Sequence, residues 1–273
     1  MRFFPQAMEP PPFSQENGPV EVFGADRGVP ILVVCDHASN NVPEDLNDLG
    51  LSTEALGRHI GWDIGAAVVA RRLADRLGVT ALLSRVSRLV IDCNRPLGHP
   101  TSIPRISDGT DIPGNATLTD REEKLRADAY FHPYHRAISH QLDRLDAQSA
   151  EATALVAIHS FTPAMNGSAR PWHVGVLWNR DPRLAVPLIG ALGAAGDLVV
   201  GDNQPYSGRD SNYTVDVHGE AFGRAHVSIE IRQDLIADDA GARQWGDRLA
   251  EILTPLLACP ENKIRRIYKA LPA

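Results

Sequence analysis

Four apolar segments of this 273-residue chain end in residues that can carry out acid–base, metal or anion chemistry. Each segment is short, rich in β-branched residues and bounded by turn-forming residues, which is typical of a strand buried on both faces of a parallel sheet. Ligands of open α/β sheets bind beyond the carboxyl ends of the strands, so we expect these polar residues to meet along one edge. The segments are Pro30–Pro43 (PILVVCDHASNNVP), Leu89–Pro96 (LVIDCNRP), Ala154–Phe161 (ALVAIHSF) and His226–Asp234 (HVSIEIRQD).

Two histidines at the ends of predicted strands, His37 and His159, are the candidate metal ligands. A catalytic zinc site usually takes three protein ligands from His, Asp or Glu and leaves the fourth position to water. The third ligand stays open between Asp63, Asp36 and Asn40. Asp63 could equally cap a helix, and Asp36 could instead orient a ligand histidine without binding the metal. A histidine at a strand end is also commonly structural, so the metal hypothesis depends on the two occurring together.

Glu230 lies in the segment V-S-I-E-I-R, whose alternation of apolar and polar residues is that of a half-buried strand. A carboxylate on the sheet surface beside a metal can act as general base toward a water molecule. The alternative is a structural ion pair, for example with Arg232.

The second segment places Arg88, Asn94 and Arg95 close together in the sequence. Arginine recognises carboxylates and phosphates through paired hydrogen bonds, so these residues predict an anion-binding subsite. The alternative is a salt bridge to Asp92 or to another acid. Together, the four segments predict a hydrolytic metal site that also binds an anionic group.

Helical and strand patterns alternate along the chain, which predicts an α/β sandwich. The clearest helix is Ile64–Gly78, which has one apolar face and a glycine at its C-terminal cap. Residues 97–118 are rich in Gly, Pro, Asp and Ser and are interpreted as a long loop. Thr119–Glu122 resembles a capping box, and a helix is predicted from there to Phe131. Further helices are predicted from Pro133 to Leu145 and over Arg183–Ala195, Tyr213–Phe222 and Ala240–Leu257. Further strands are predicted at Val20–Gly24, Thr80–Ser84, Trp172–Trp178 and Leu198–Gly201.

The N-terminal stretch contains Pro10, Pro11 and Pro12 and is predicted to form an extended arm over residues 1–18. No internal repeat or convincing linker follows it, so residues 19–273 are predicted to form one domain. The first residues lack the apolar region and cleavage site of a signal peptide, and no run approaches the ~18 apolar residues of a membrane span.

The net charge of −7 argues against nucleic acid or an anionic membrane as a partner. Three cysteines, two of them inside predicted core strands, fit buried thiols in a reducing compartment, so we expect a cytoplasmic protein. The sequence has no G-x-S-x-G nucleophile elbow, P-loop or G-x-G-x-x-G motif. The cysteines are Cys35, Cys93 and Cys259.

The segments DHASNNVP, GWDIG, SRLVIDCNRP, IHSFTP and IEIRQDLI occur in this order between about Val20 and Leu257. In that order and spacing they resemble the N-formylglutamate amidohydrolase (N-formylglutamate deformylase) family, and S-R-x-x-x-D-x-N-R-P is the most specific piece. The resemblance implies a zinc-dependent amidohydrolase. It also implies a zinc-exopeptidase-like, three-layer α/β/α sandwich around a largely parallel or mixed sheet, similar to the zinc carboxypeptidases.

The resemblance also implies roles for individual residues. His37, Asp63 and His159 match the metal-ligand positions, and Glu230 matches the general base. The position three after His37 is Asn40, where zinc carboxypeptidases have the glutamate of H-x-x-E, so Asp63 has to replace that ligand.

On the substrate side, Asn94 and Arg95 are similar to the Asn-Arg pair that grips a substrate carboxylate. Arg88 would add a second cation, near the carbonyl oxygen or a carboxylate. The weaker segments NQPYSG and TVDVHG also match, and His218 is added from the latter as a substrate-binding candidate. The first loop reads DHASN instead of the PHAG or PHSG type of the histidine-degradation deformylases, which indicates a divergent branch.

The function expected from these observations is zinc-dependent hydrolysis of the N-acyl amide of a small acidic amino acid. The expected reaction converts N-formyl-L-glutamate to formate and L-glutamate. Two alternatives stay open: a zinc exopeptidase or other N-acyl-amino-acid deacylase on the same fold, and a non-catalytic protein that binds an acidic metabolite through its arginines.

Overall fold

The computed structural model describes residues 18–210 and 212–269. Apart from Gly18, the N-terminal arm predicted over residues 1–18 lies outside the described residues, and the single domain over residues 19–273 stays a prediction. Within the part of the chain that is described, no helix has both the length and the apolar character needed to cross a membrane.

A seven-stranded mixed sheet forms the centre of the described structure. The strands are β1 Val20–Phe23, β2 Ile31–Cys35, β3 Thr80–Ser84, β4 Ala154–Phe161, β5 Val174–Leu177, β6 Val200–Asp202 and β7 His226–Arg232. They lie in the order β1–β3–β2–β4–β7–β5–β6. The four central strands β3, β2, β4 and β7 run parallel, β1 pairs antiparallel with β3, β5 pairs antiparallel with β7, and β6 is parallel to β5.

Helices cover both faces of this sheet, which confirms the three-layer α/β/α sandwich. The helices are α1 Thr53–Gly57, α2 Ala66–Leu77, α3 Asp120–Arg126, α4 His132–Gln148, α5 Pro182–Ala194, α6 Tyr213–His218 and α7 Asp239–Ala258. On one face α2, α5 and α7 pack against alternate strand residues such as Val33 and Cys35, and on the other face α4 and α6 pack against Leu32 and Val34. Burial on both faces explains why β2 appears in the sequence as an unbroken apolar run.

Shorter elements fill the connections. The segment predicted as a loop over residues 97–118 contains a small hairpin and a 3-10 turn. The hairpins are Ile106–Ser107 with Thr110–Asp111 and Ala164–Met165 with Ser168–Ala169. The 3-10 helices are Glu44–Gly50, Pro113–Asn115, Glu220–Phe222, Gln233–Leu235 and Pro260–Lys263.

The strand predicted over Leu89–Pro96 is wrong, because this segment folds as a series of turns. The amide of Val90 donates to the carbonyl of Ser87 at 2.9 Å, and the amide of Arg95 donates to that of Asp92 at 3.3 Å. The apolar side chains of the segment instead fill a separate small core beneath the loops. That core also includes Val42, Leu49, Leu56, Ile60, Val86, Ile112, Ala127 and Phe131.

The predicted capping box is present, with Thr119 and Glu122 satisfying each other's backbone amides at the start of α3. Pro133 does not break the helical path. A π-helical turn over Ala127–Phe131 joins α3 to α4, and Pro133 lies in the first turn of α4. A proline is tolerated there because a first-turn residue needs no backbone N–H donor.

Asp146, near the end of α4, joins three parts of the fold. Thr153 lies just before β4, and its amide and hydroxyl both donate to the carboxylate of Asp146. Arg224 lies just before β7, and its buried guanidinium donates to the same carboxylate at 2.6 Å. The more exposed Arg265 also donates to it. Partial burial opposes ionisation, but the hydrogen bonds of Thr153 and Arg224 outweigh this and lower the pKa of Asp146.

We therefore predict that Asp146→Asn lowers the free energy of unfolding at pH 7 by about 2–3 kcal/mol, because Arg224 loses its charged partner. The control Arg265→Met, at an exposed ion pair, should cost less than about 1 kcal/mol. A carboxylate with a lowered folded-state pKa stabilises above its unfolded pKa of about 3.9, so the difference between wild type and Asp146→Asn should shrink as the pH falls through the folded-state pKa. Urea denaturation at several pH values tests this, and a difference independent of pH would contradict it.

Candidate active site

Two histidines and one aspartate meet at the carboxyl ends of β2 and β4. Nδ1 of His37 lies 3.2 Å from Oδ2 of Asp63, and Nδ1 of His159 lies 2.9 Å from the same oxygen. The two imidazole rings are 5.2 Å apart between centroids. All three side chains are buried, and one potential ligand atom from each lies within 4.8 Å of the others. This group could hold a metal ion.

The second nitrogen of each imidazole faces another buried carboxylate. Nε2 of His37 lies 2.7 Å from Oδ1 of Asp92, and Nε2 of His159 lies 3.1 Å from Oδ2 of Asp36. The first of these contacts is a hydrogen bond and the second is an ion-pair contact. Metal-binding histidines usually have a carboxylate at their second ring nitrogen, which fixes the tautomer and the ring orientation. Two such imidazoles and one carboxylate oxygen are a donor set that fits zinc.

This geometry separates the three candidates for the third ligand. Asp63 faces both imidazoles, whereas Asp36 lies behind His159 and accepts a further hydrogen bond from the hydroxyl of Thr214 at 2.7 Å. The amide of Asn40 points elsewhere and donates to the carbonyl of Leu56. Among the three, Asp63 is the residue placed to share an ion with the histidines.

The loop before α2 directs Asp63 into the site. Its backbone amide donates to the carbonyl of His37, and its carboxylate contacts Arg88 at 3.2 Å. The N-terminal cap of α2 is Gly65, without a side-chain hydrogen bond, so the alternative that Asp63 caps this helix is wrong. Gly65 has φ +80°, and a Cβ there would lie 2.1 Å from the carbonyl of Ile236, which explains the second glycine of GWDIG.

The cluster favours positive charge. Burial disfavours the imidazolium form of His159, but the carboxylates of Asp36 and Asp63 outweigh it and raise the pKa of His159 well above its usual value. Burial likewise opposes ionisation of Asp63, yet His37, His159 and Arg88 hold its pKa well below the usual range. Carboxylates that favour a proton on an imidazole also favour a divalent cation at the same place.

Glu230 lies on β7, directly beside His159 on β4. Its side chain is buried, and Oε2 has no hydrogen-bond partner among the described residues. Burial, together with the charge of Asp63, raises the pKa of Glu230 to about 7 against the opposing effect of His159. The alternative of an ion pair with Arg232 is wrong, because Arg232 binds Asp234. A carboxylate that can exchange a proton near neutral pH therefore borders the His–Asp–His group.

These residues surround one cavity of about 120 Å³. Arg88 reaches it while paired with Asp63 and with Asp92, and these two carboxylates raise its pKa in spite of burial. The guanidinium of Arg95 donates to the carbonyl of Asn94. Arg95 lines this cavity and also a second cavity of about 390 Å³. The cavity is lined by His37, Asp63, Arg88, Asn94, Arg95, His159, Ser160, Tyr206 and Glu230.

Two of the residues that shape the site have no role in the sequence-based prediction. Asp92 appears there only as a salt-bridge partner, whereas it holds both His37 and Arg88. Tyr206 lines both cavities, and its hydroxyl accepts a hydrogen bond from Arg170 at 3.1 Å. The sequence signal for Tyr206 is the segment NQPYSG; Asp92 lies inside the most specific motif.

The structure does not bring His218 to this cavity. Nε2 of His218 lies 2.8 Å from Nδ1 of His135, whose Nε2 donates to the carbonyl of Cys93. Because that carbonyl must accept, Nδ1 of neutral His135 accepts from His218. Burial and His135 lower the pKa of His218 to about 3. The expectation that His218 binds substrate directly is therefore not supported by its position.

The chain is similar to several known proteins in sequence or in fold. The family model for N-formylglutamate amidohydrolase matches residues 29–237. The crystal structure of a gene product from Agrobacterium tumefaciens is 36% identical, with a TM-score of 0.85, and the match covers 88% of this chain and 95% of that chain. The N-formylglutamate amidohydrolase from Ralstonia eutropha is 20% identical over 88% of this chain and 95% of that chain, with a TM-score of 0.61, and shares the fold. No curated protein matches the chain.

The geometry predicts that the purified protein binds one divalent ion and that His159→Ala weakens its zinc affinity by more than about 100-fold, since the loss of a ligand should cost more than the loss of an orienting partner. The control His99→Ala removes an exposed histidine and should leave the affinity unchanged. Competition with a chromophoric chelator measures both. Zinc bound by His159→Ala as tightly as by wild type would show that the ligand set is different.

Proposed function

The chain belongs to the N-formylglutamate amidohydrolase family, and on that premise we propose that it hydrolyses N-formyl-L-glutamate to formate and L-glutamate with one zinc ion. The observation that supports this most strongly is a single cavity bordered by the buried group His37, Asp63 and His159 and by Glu230, whose Oε2 has no hydrogen-bond partner among the described residues. Amide hydrolysis needs an activated water, a polarised carbonyl and a proton for the leaving nitrogen, and this combination can supply all three.

Zinc held by His37, Asp63 and His159 would polarise the formyl carbonyl and lower the pKa of coordinated water to about 7. Glu230 accepts the proton from the attacking water at Oε2, as the water oxygen adds to the formyl carbon. It then passes the proton to the amide nitrogen as the C–N bond breaks, which releases formate and the amine. The pKa of Glu230, about 7, suits a group that must both accept and donate a proton.

The acidic part of the substrate is assigned to the arginine side of the cavity. Arg95 and the side-chain amide of Asn94 bind a carboxylate; the Oδ1 atom of Asn94 is already used by the amide of Thr214, so its Nδ2 group is the donor that remains. Arg88 is fixed by two aspartates and stays cationic, and it acts on either the formyl oxygen or the second carboxylate.

A second candidate is an N-acyl-amino-acid deacylase or exopeptidase with a larger substrate. The observation in its favour is the outer cavity of about 390 Å³, which shares Arg88, Arg95 and Tyr206 with the inner one. It would accommodate a group larger than the side chain of glutamate.

One experiment separates these candidates. The zinc-loaded protein is assayed with N-formyl-, N-acetyl- and N-succinyl-L-glutamate, with N-formyl derivatives of neutral amino acids, and with dipeptides. We expect the highest kcat/KM for N-formyl-L-glutamate, loss of activity after dialysis against a chelator and recovery on addition of zinc. Activity unchanged by chelation would remove the metal from the mechanism, and preference for a dipeptide would favour the second candidate.

Glu230→Gln keeps the size of the side chain and removes its proton-accepting carboxylate. We expect kcat to fall by about 10²- to 10⁴-fold with KM changed far less, because a general base acts mainly in the transition state. Zinc affinity should stay close to that of wild type, since Glu230 is outside the proposed ligand set. A variant with wild-type kcat would assign the base to another residue.

A further inference from the structure

We propose that Thr214, at the start of α6, is a positioning residue that holds the metal-binding side and the carboxylate-binding side of the site in register. Its side chain is fully buried and lines neither cavity. Among the described residues, its hydroxyl has Asp36 and the carbonyl of Cys93 as hydrogen-bond partners, and neither belongs to the proposed ligand set. The inference rests on the proposed function for the role of Asn94, whereas its metal-binding part does not depend on the substrate.

The first contact of Thr214 is with the metal side. Its hydroxyl donates to Oδ1 of Asp36 at 2.7 Å, and Oδ2 of Asp36 lies 3.1 Å from Nε2 of His159. The side chain of Asp36 is completely buried, so no solvent can replace a lost donor. A short, charge-assisted hydrogen bond therefore fixes the carboxylate that forms the ion-pair contact with His159.

The second contact is with the substrate side. The backbone amide of Thr214 donates to Oδ1 of Asn94 at 3.0 Å. This amide is in the first turn of α6, where N–H groups have no partner within the helix, and the side chain of Asn212 at the N-cap does not supply one. Asn94 thus caps the helix with its oxygen, and the bond fixes which face of its amide is free to bind a carboxylate.

One residue therefore sets the position of two side chains, Asp36 behind the proposed metal ligand His159 and Asn94 on the carboxylate-binding side. The hydroxyl of Thr214 controls Asp36, and the resulting position of α6 controls Asn94 through the backbone. His218, one turn later on the same side of the helix, packs on His135, whose Nε2 bonds to the carbonyl of Cys93 next to Asn94. This second contact limits how far α6 can move to compensate if the hydroxyl is lost.

The test compares three variants with wild type in full-length protein. Thr214→Val keeps the shape of the side chain and removes the hydroxyl, and Thr214→Ser keeps the hydroxyl. Thr80→Val is the matched control, because Thr80 is also completely buried and donates to the carbonyl of Gly24 at the opposite end of the sheet. If Thr214→Val does not fold, Thr214→Ala takes its place, since it leaves no methyl group against Asp36.

The first measurement is the dissociation constant of zinc alone, by competition with a chelator. We expect Thr214→Val to weaken zinc binding by about 10-fold, the lower end of the effect of losing a residue that directly holds a ligand, because Thr214 acts through Asp36. Thr214→Ser should restore the affinity to near that of wild type, and Thr80→Val should lower the melting temperature without changing zinc affinity. Zinc bound equally tightly by Thr214→Val and Thr80→Val would overturn the proposal.

The second measurement is the affinity of the zinc-loaded variants for L-glutamate, by calorimetry. Weaker binding by Thr214→Val than by Thr80→Val supports the proposal that Thr214 positions Asn94. Equal binding by the two variants would overturn that half of the proposal. Failure of the proposed function would appear separately, as the absence of hydrolysis by wild-type protein. The zinc comparison would still decide the positioning role in that case.

Discussion

Three buried carboxylates, those of Asp36, Asp63 and Asp92, surround two imidazoles at one edge of the central sheet. Removing ionised carboxylates from water is unfavourable unless each one is closely paired and hydrogen-bonded. Here every carboxylate contacts a histidine, and Asp63 and Asp92 also contact Arg88. The cluster is stable only if the fold places all of these side chains close together. The strands and loops of the described fold position them.

Parallel neighbouring strands deliver the two histidines. His37 follows β2, and His159 lies in β4, the strand beside it. The register of β4 with β7 then places Glu230 next to His159. A shift of one residue in either pairing would turn these side chains to the opposite face of the sheet. The apolar residues that alternate along the strands and pack under helices on both faces therefore fix the chemistry as well as the fold.

The strands and most helices could be predicted because their apolar residues follow a regular period. The same reasoning failed at Leu89–Pro96, where three consecutive apolar residues are buried under loops and not in the sheet. Periodicity reports burial and not the partner, so it cannot separate these cases. The family resemblance also suggested His218 from the segment TVDVHG, although Thr214 is the residue of that segment that forms hydrogen bonds with Asp36 and Asn94. These two residues lie one turn apart on the same side of α6, so the choice between them depends on where the helix lies along its axis relative to the site, which the sequence does not encode locally.

Environment, not residue type, divides the acids of the site into two roles. Asp63 and Glu230 border the same cavity and are both buried, yet the pKa of Asp63 is held well below its usual value whereas that of Glu230 is raised to about 7. Asp63 accepts close contacts from two imidazoles and a guanidinium, and Glu230 has an oxygen without a partner. A carboxylate saturated with donors is suited to remain an anion and hold a cation, and one left unsatisfied is suited to take a proton. Since both conditions follow from which donors lie nearby, the loops that carry Asp63 and Arg88 matter as much to the chemistry as the strands that carry His159 and Glu230.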